Sequence, residues 1–204
     1  MSGKGSVKTI IFGGTFDPIH YGHLRLAEKA LAETSAERLV FMPARISPFK
    51  LDRTAPSPSH RYAMIKLAIE GKKGFAVSRY EIDRDEVSYT YDTLSHMSAE
   101  YGEGISFLMG YDSLIDVETW YRGEEILKKF PLIAGARPGS PDVRAMESVK
   151  RYEKIYGADI TILEIESFRA SSTEIRKAVS EGKDISALVP PAVKGYILEN
   201  GLYR

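Results

Sequence analysis

Six short apolar, β-prone runs alternate with amphipathic stretches along this chain of 204 residues. The runs are Val7–Phe12, Arg38–Met42, Phe75–Ser78, Ile105–Met109, Pro131–Ala134 and Ile160–Glu164. Apolar residues recur at helical spacing over Gly22–Glu33, Ser59–Glu70, Thr90–Tyr101, Glu124–Lys129, Pro141–Tyr156, Ser172–Glu181 and Pro191–Glu199. Repeated β–α units build a parallel sheet covered on both faces, and ligands then bind outside the strand C-termini. The expected fold is therefore α/β, a Rossmann-like doubly wound parallel sheet. One domain is expected over 1–204, with a small C-terminal helical subregion from about residue 168. Punctuation agrees with the pattern: Ser59 can cap a helix that Gly71 ends, and Pro141-Asp142 can open the long one.

Composition narrows the function classes. Lys+Arg and Asp+Glu both number 28, so the net charge is zero and nothing favours a nucleic-acid partner. There is no cysteine, which excludes disulfides, thiolate metal sites and thiol nucleophiles. No stretch approaches the ~20 apolar residues of a membrane span, and Met-Ser-Gly-Lys-Gly-Ser lacks the apolar core of a signal peptide. The expectation is a cytoplasmic protein with no nucleic-acid or membrane partner, and the composition admits a homo-oligomer.

The stretch Gly13-Gly14-Thr15-Phe16-Asp17-Pro18-Ile19-His20-Tyr21-Gly22-His23 follows the first strand and opens the first helix. A strand, a glycine turn and a helix N-terminus form a phosphate site, because the backbone can approach the anion and the helix dipole favours it. His20 and His23 can donate to the same anion. Other readings of the parts are an ordinary turn, a helix cap or core histidines, and two metal ligands on one face. A metal would need further ligands, and no cysteine or HExxH-type partner is present.

Other chemistry-bearing residues also follow expected strands. Lys50, in Ser47-Pro48-Phe49-Lys50, could reach a triphosphate or be a solvated surface lysine. In Gly110-Tyr111-Asp112 the glycine permits close approach, and the aspartate can accept from ribose hydroxyls or cap a helix. Arg137, before Pro138-Gly139, is a phosphate clamp or a turn residue. Ser171-Ser172-Thr173-Glu174-Ile175-Arg176 places hydroxyls at a helix start and an arginine one turn inside, a second anion site. Ser171 and Glu174 also fit a capping box, and both readings can hold together. Ser88-Tyr89-Thr90-Tyr91 is a helix start or a ligand wall; His60 and His96 read as structural or surface residues.

Taken together these motifs resemble the nucleotidyltransferase superfamily marked by HxGH and a later SSTxIR. More closely, the chain is similar to the bacterial nicotinate-nucleotide adenylyltransferase family. The carriers are GGTFDPIHYGHL (13–24), SPFK (47–50), SYTYDTL (88–94), GYDSL (110–114), Trp120-Tyr121, RPG (137–139), SSTEIR (171–176) and LVPPAVKGYILENGLY (188–203). Two departures are present: Phe49 stands where the family commonly has His, and Asp85-Glu86-Val87 precede SYT where it usually has glycine.

The resemblance implies adenylyl transfer from ATP to nicotinate mononucleotide, giving nicotinate adenine dinucleotide and pyrophosphate. It implies catalytic roles for His20, His23, Lys50 and Arg176. ATP would contact Gly13, Gly14, Thr15, Phe16, Gly110, Asp112, Arg137, Ser172 and Thr173. Nicotinate mononucleotide would contact Thr90, Trp120 and Tyr121. Mg²⁺ would arrive on ATP, with no fixed protein metal site. The alternatives are another HxGH adenylyltransferase, taking phosphopantetheine or nicotinamide mononucleotide, or a non-catalytic nucleotide sensor.

Overall fold

Hydrogen bonding joins the six apolar runs into one all-parallel sheet with strand order β3-β2-β1-β4-β5-β6. The structure is a computed structural model and describes residues 8–34, 36–46, 56–102, 104–136, 143–164 and 171–204. In chain order the elements are β1 (Thr9–Gly14), α1 (Tyr21–Thr34), β2 (Arg38–Pro43), α2 (Pro58–Ile69), β3 (Phe75–Val77), α3 (Thr90–Tyr101), β4 (Ile105–Gly110) and α4 (Tyr111–Leu114). A short 3-10 turn, Val117–Thr119, follows. Then come α5 (Gly123–Lys129), β5 (Leu132–Ala136), α6 (Val143–Tyr156), β6 (Ile160–Glu164), α7 (Ser172–Ser180) and α8 (Pro191–Glu199).

The two faces of the sheet follow from the two-residue period of the strands. Ile10 and Phe12 of β1 join one core with Leu24 and Ala27 of α1, Met64 and Ile65 of α2, Ile175 of α7 and Val193 and Ile197 of α8. Ile11, between them, joins the other core with Leu94 and Met97 of α3, Leu127 of α5 and Tyr152 of α6. The C-terminal helices thus share the core of the sheet rather than building their own. Strand order reverses between β1 and β4, so a crevice opens beyond their carboxyl ends. Among the described residues, no helix is long and apolar enough to cross a membrane.

The structure shifts several expected boundaries. β1 runs on to Gly14 because Gly13 and Gly14 pair in register with Met42 and Pro43 of β2. The glycines are therefore strand, not turn, and the reversal falls on the residues after them. Phe16 takes the left-handed backbone there, with φ of 50°. Close packing accounts for both glycines: a Cβ on Gly13 would lie 2.7 Å from the Phe107 ring, and one on Gly14 would lie 3.0 Å from the Phe16 ring. Helix α2 is capped by Ser57, not Ser59, because Pro58 occupies its first turn and the Ser57 hydroxyl accepts from the His60 N–H. The short α4 and the 3-10 turn have no counterpart in the sequence pattern, being too brief to show a period. Pro141-Asp142 lies outside the described residues.

One buried acid is held by hydroxyl donors, with the Arg61 charge acting on it as well. Glu81 is 7% exposed and accepts a 2.6 Å hydrogen bond from Thr93 Oγ1. Burial pushes its carboxyl above the ordinary range, against the opposing effects of Thr93 and Ser88 hydrogen bonds and the Arg61 charge. A folded-state value above the unfolded one gives stability that is complete at low pH and is lost as pH rises through the folded value.

Two outcomes follow. Gly13→Ala must displace a Phe107 ring that is itself packed in the core, so it should destabilise by ~1–3 kcal/mol; an unchanged Tm would mean that ring moves at no cost. Glu81→Gln stays neutral at every pH and still accepts from Thr93. Its Tm relative to the parent chain should therefore climb as pH is raised from about 4 to about 8. A difference that stays flat with pH would show that Glu81 titrates alike in both states.

Candidate active site

The loop from Thr15 to His20 crosses the carboxyl end of β1 and delivers both histidines to one spot. Their rings stack with centroids 3.7 Å apart and planes at 29°. The His20 main-chain N–H donates to His23 Nδ1 over 3.3 Å. A neutral His23 with Nδ1 accepting must carry its proton on Nε2, which makes Nε2 a donor. His23 lies in the first turn of α1, and its N–H and that of Leu24 both donate to the His20 carbonyl. The pair stands on an aromatic floor: Phe16 meets His23 edge-on at 5.1 Å and Phe12 edge-on at 5.3 Å, and Phe41 closes the group. His20 is 7% exposed and His23 is half-buried, so the pair is set into the fold rather than out on its surface.

Helix α7 docks onto the same loop. Ser172 Oγ donates to the Pro18 carbonyl over 3.0 Å, and Arg176 Nη1 donates to the Asp17 carbonyl over 2.7 Å. Arg176 Nη1 also lies 3.5 Å from Asp17 Oδ2, and Nη2 donates to Thr173 Oγ1. The Ser171–Glu174 capping box is present in full. The structural and the anion-binding readings of SSTEIR are therefore compatible, since the box uses the N–H groups of Ser171 and Glu174. The Ser172 hydroxyl is committed to Pro18, which leaves its main-chain N–H as the group it can offer an anion.

Gly110 ends β4 beside β1. The last paired register is Phe12 with Leu108, so Gly14 and Gly110, each two residues further on, flank the mouth of the crevice. A side chain on Gly110 would meet nothing within 4 Å, so the backbone there is open to close approach. Asp112 is exposed in the first turn of α4, beside that opening.

A third group forms around Tyr89 and Tyr121, whose rings lie 4.7 Å apart. Thr90 begins α3 next to Tyr89. Trp120, half-buried, meets Phe107 edge-on at 6.4 Å, the same ring that packs on Gly13. Arg45 N–H donates to Ser88 Oγ, and Ser88 N–H to the Ile46 carbonyl, so the segment before α3 is tied to the loop after β2. Lys50 and Arg137 lie outside the described residues. Of the remaining residues, Gly13, Gly14, Thr15, Phe16, His20, His23, Ser172, Thr173 and Arg176 converge on one end of β1. His60 bonds Tyr196 through Nδ1 at 2.9 Å, and His96 stacks on Tyr80; both belong to packing.

Beneath the site lie Arg61, which belongs to no motif, and Asp17 and Tyr203, which lie inside motifs but to which the sequence alone assigns no role. Arg61, 2% exposed, donates to the carbonyls of Thr15, Ala44, Arg45 and Pro56. Burial pulls its pKa down, offset first by the charge of Asp17. Asp17, 4% exposed, accepts from the Tyr203 hydroxyl over 2.8 Å. The clue to Arg61 was its place at the head of the apolar stripe Met64, Ile65, Ala68, Ile69, where a charge must be held by acceptors.

The family model of cytidylyltransferase-like proteins matches residues 11–178. A probable nicotinate-nucleotide adenylyltransferase of Clostridium botulinum is 39% identical over 194 residues, covering 95% of this chain and 96% of that protein. One from Carboxydothermus hydrogenoformans is 38% identical over 195 residues, with coverage of 95% and 96%. The fold is similar to that of the Plasmodium falciparum nicotinic acid mononucleotide adenylyltransferase complexed with NaAD. That likeness has a TM-score of 0.76 at 22% identity, covering 96% of this chain and 97% of the other. A second structure of the Plasmodium falciparum enzyme, complexed with APC, gives a TM-score of 0.75 at 20% identity, with coverage of 96% of both chains. With its GGTFDPIHYGHL segment inside the matched span and its similarity running nearly end to end, the chain belongs to the cytidylyltransferase-like family and, within it, to the nicotinate-nucleotide adenylyltransferases.

Proposed function

We propose that the protein transfers the adenylyl group of ATP to nicotinate mononucleotide, releasing pyrophosphate and forming nicotinate adenine dinucleotide. The observation that carries this reading is the stacked pair His20 and His23 at the head of α1, with Arg176 of α7 bonded into the same loop. Two donors and a cation, drawn from sequence positions far apart, meet where the strand order reverses.

The nucleophile is a phosphate oxygen of the mononucleotide. A phosphate monoester has its second pKa near ~6, so it is already mostly dianionic at neutral pH and needs no protein base. The barrier comes from bringing two polyanions together and from charge on the departing pyrophosphate. Positioned donors and cations lower it. Gly13, Gly14 and Thr15 let the backbone approach the α-phosphate. His23 Nε2 and the His20 ring donate to the phosphates in line. Arg176, Thr173 and the N–H of Ser172 hold the β- and γ-phosphates, with Lys50 and Arg137 as further cations. Phe16 forms the wall below. Gly110 and Asp112 receive the adenosine ribose. The ATP arrives as its Mg²⁺ complex, whose metal neutralises part of the charge.

Thr90, Trp120 and Tyr121 form the pocket for the pyridine ring. A carboxylate presents acceptors only, and a pocket of converging N–H groups satisfies them. An amide nitrogen would set its hydrogens against those donors. The pyridinium ring can lie against Trp120, the chain's one tryptophan, through a cation–π contact.

His20→Ala and His23→Ala should each lower kcat by roughly 10²-fold, the scale for one preorganised donor, measured at a temperature where both variants remain folded. Pyrophosphate release from ATP and nicotinate mononucleotide measures it; full turnover in both variants would remove the histidines from the reaction. The acid mononucleotide should surpass the amide by at least ~10-fold in kcat/KM, because a buried donor mismatch costs ~1–3 kcal/mol. Equal kcat/KM for the two would refute the donor-lined pocket. Tryptophan emission should respond to the acid form, and an unchanged signal at saturation would place Trp120 elsewhere.

A further inference from the structure

The ending LVPPAVKGYILENGLY contributes no group to the chemistry above, yet it reaches under the site. Helix α8 packs on α2, and Gly201, with φ of 60°, turns the chain back so that Leu202 N–H bonds the Ile197 carbonyl. Tyr203 itself takes φ of 66°, an unfavourable backbone for a residue with a side chain. From there its hydroxyl crosses 186 residues of sequence to donate to Asp17 Oδ1 at 2.8 Å. Burial and the adjoining Asp17 charge push the phenol pKa up, so Tyr203 stays a donor.

We propose that Tyr203 is a positioning residue: its hydroxyl fixes the Asp17 carboxylate, and Asp17 in turn sets Arg176 for the anionic tail of the nucleotide. Asp17 holds Arg176 twice, through its carbonyl at 2.7 Å and through Oδ2 at 3.5 Å. The Arg176 side chain is 17% exposed and that of Asp17 is 6%, so the guanidinium is clamped from the protein side and presents its remaining edge to the crevice. Oδ1 is taken by Tyr203, so the carboxylate cannot rotate freely. Loss of the hydroxyl frees that rotation and lets Arg176 drift from the triphosphate. The mononucleotide, bound at the Tyr89–Tyr121 side, does not sense the change.

This inference rests on the proposed use of ATP, and binding is measured apart from turnover to keep the two separable. Tyr203→Phe keeps the packed ring and removes only the hydroxyl. It should weaken ATP about 10-fold by calorimetry, because the released Arg176 then loses the equivalent of one hydrogen bond to the charged tail. KM for ATP should rise in step, while kcat at saturating ATP and KM for nicotinate mononucleotide stay near the parent values. In an Arg176→Ala background the same substitution should add no further loss. A parental ATP affinity in Tyr203→Phe, an equal weakening of both substrates, or a loss that adds in full to that of Arg176→Ala would overturn the proposal. If Tyr203→Phe does not fold, Asp17→Asn is the second variant. It keeps an acceptor for Tyr203 and weakens the charge contact to Arg176, along with the Asp17 charge that Arg61 feels, so a parental ATP affinity there also overturns it. Absence of pyrophosphate release by the parent chain would instead strike the adenylyl-transfer reading, with ATP binding still reporting on Tyr203.

Discussion

A guanidinium with almost no contact with water holds the site side of this protein together. Arg61 donates to the carbonyls of Thr15, Ala44, Arg45 and Pro56, at 2.7, 2.6, 3.3 and 3.4 Å. Those carbonyls belong to the loop after β1, the loop after β2 and the lead-in to α2. Parallel strands end in backbone groups that the sheet no longer pairs, and buried ends without partners are costly. One planar fork with five donors satisfies several of them at once, which lysine could not do. Burying the charge is itself expensive, and Asp17 and Glu81 offset it electrostatically. The loop that carries the histidines is therefore braced from beneath by a charge whose removal would leave those carbonyls without their donor.

The arrangement above this brace follows from topology. β1 and β4 are neighbours in the sheet but are separated in sequence by two complete β–α units, so the chain leaves them in opposite directions. The resulting crevice receives the N-terminus of α1 directly. It receives α7 only because the last helices pack on the same face as α1 and α2. Phe107 ties the other face in: its ring lies against Gly13 and meets Trp120 edge-on. Strand β1 and the aromatic group proposed for the pyridine ring thus share one side chain as a common wall.

SSTEIR shows that two explanations of a motif need not compete. Its Ser171 and Glu174 close a capping box, its Ser172 hydroxyl anchors the helix to Pro18, and its Arg176 grips Asp17. Each contact is structural, and together they aim a helix N-terminus and a cation into the crevice. Preorganisation of this kind is what electrostatic catalysis requires, because donors fixed in advance need no rearrangement as charge develops.

The residue order alone determined much of this protein. Alternating β-prone and amphipathic runs dictated a parallel sheet with two helical layers, because the period of two in the strands and the near-fourfold period in the helices bury complementary faces. The HxGH and SSTEIR segments stood out locally, since glycine, histidine, hydroxyl and arginine beside a strand end are the groups from which an anion site is built. Boundaries were less legible where neighbours decide them. Gly13 and Gly14 became strand through pairing with Met42 and Pro43, and the helix cap moved to Ser57 because Pro58 suits the first turn. What only the tertiary structure decided was convergence. That Arg61 would lie beneath Thr15, and Tyr203 against Asp17 across 186 residues, depends on how α2 and α8 pack on the sheet. Such contacts have no period and no local spacing; they arise because a buried charge must find its partners wherever the packed chain happens to put them.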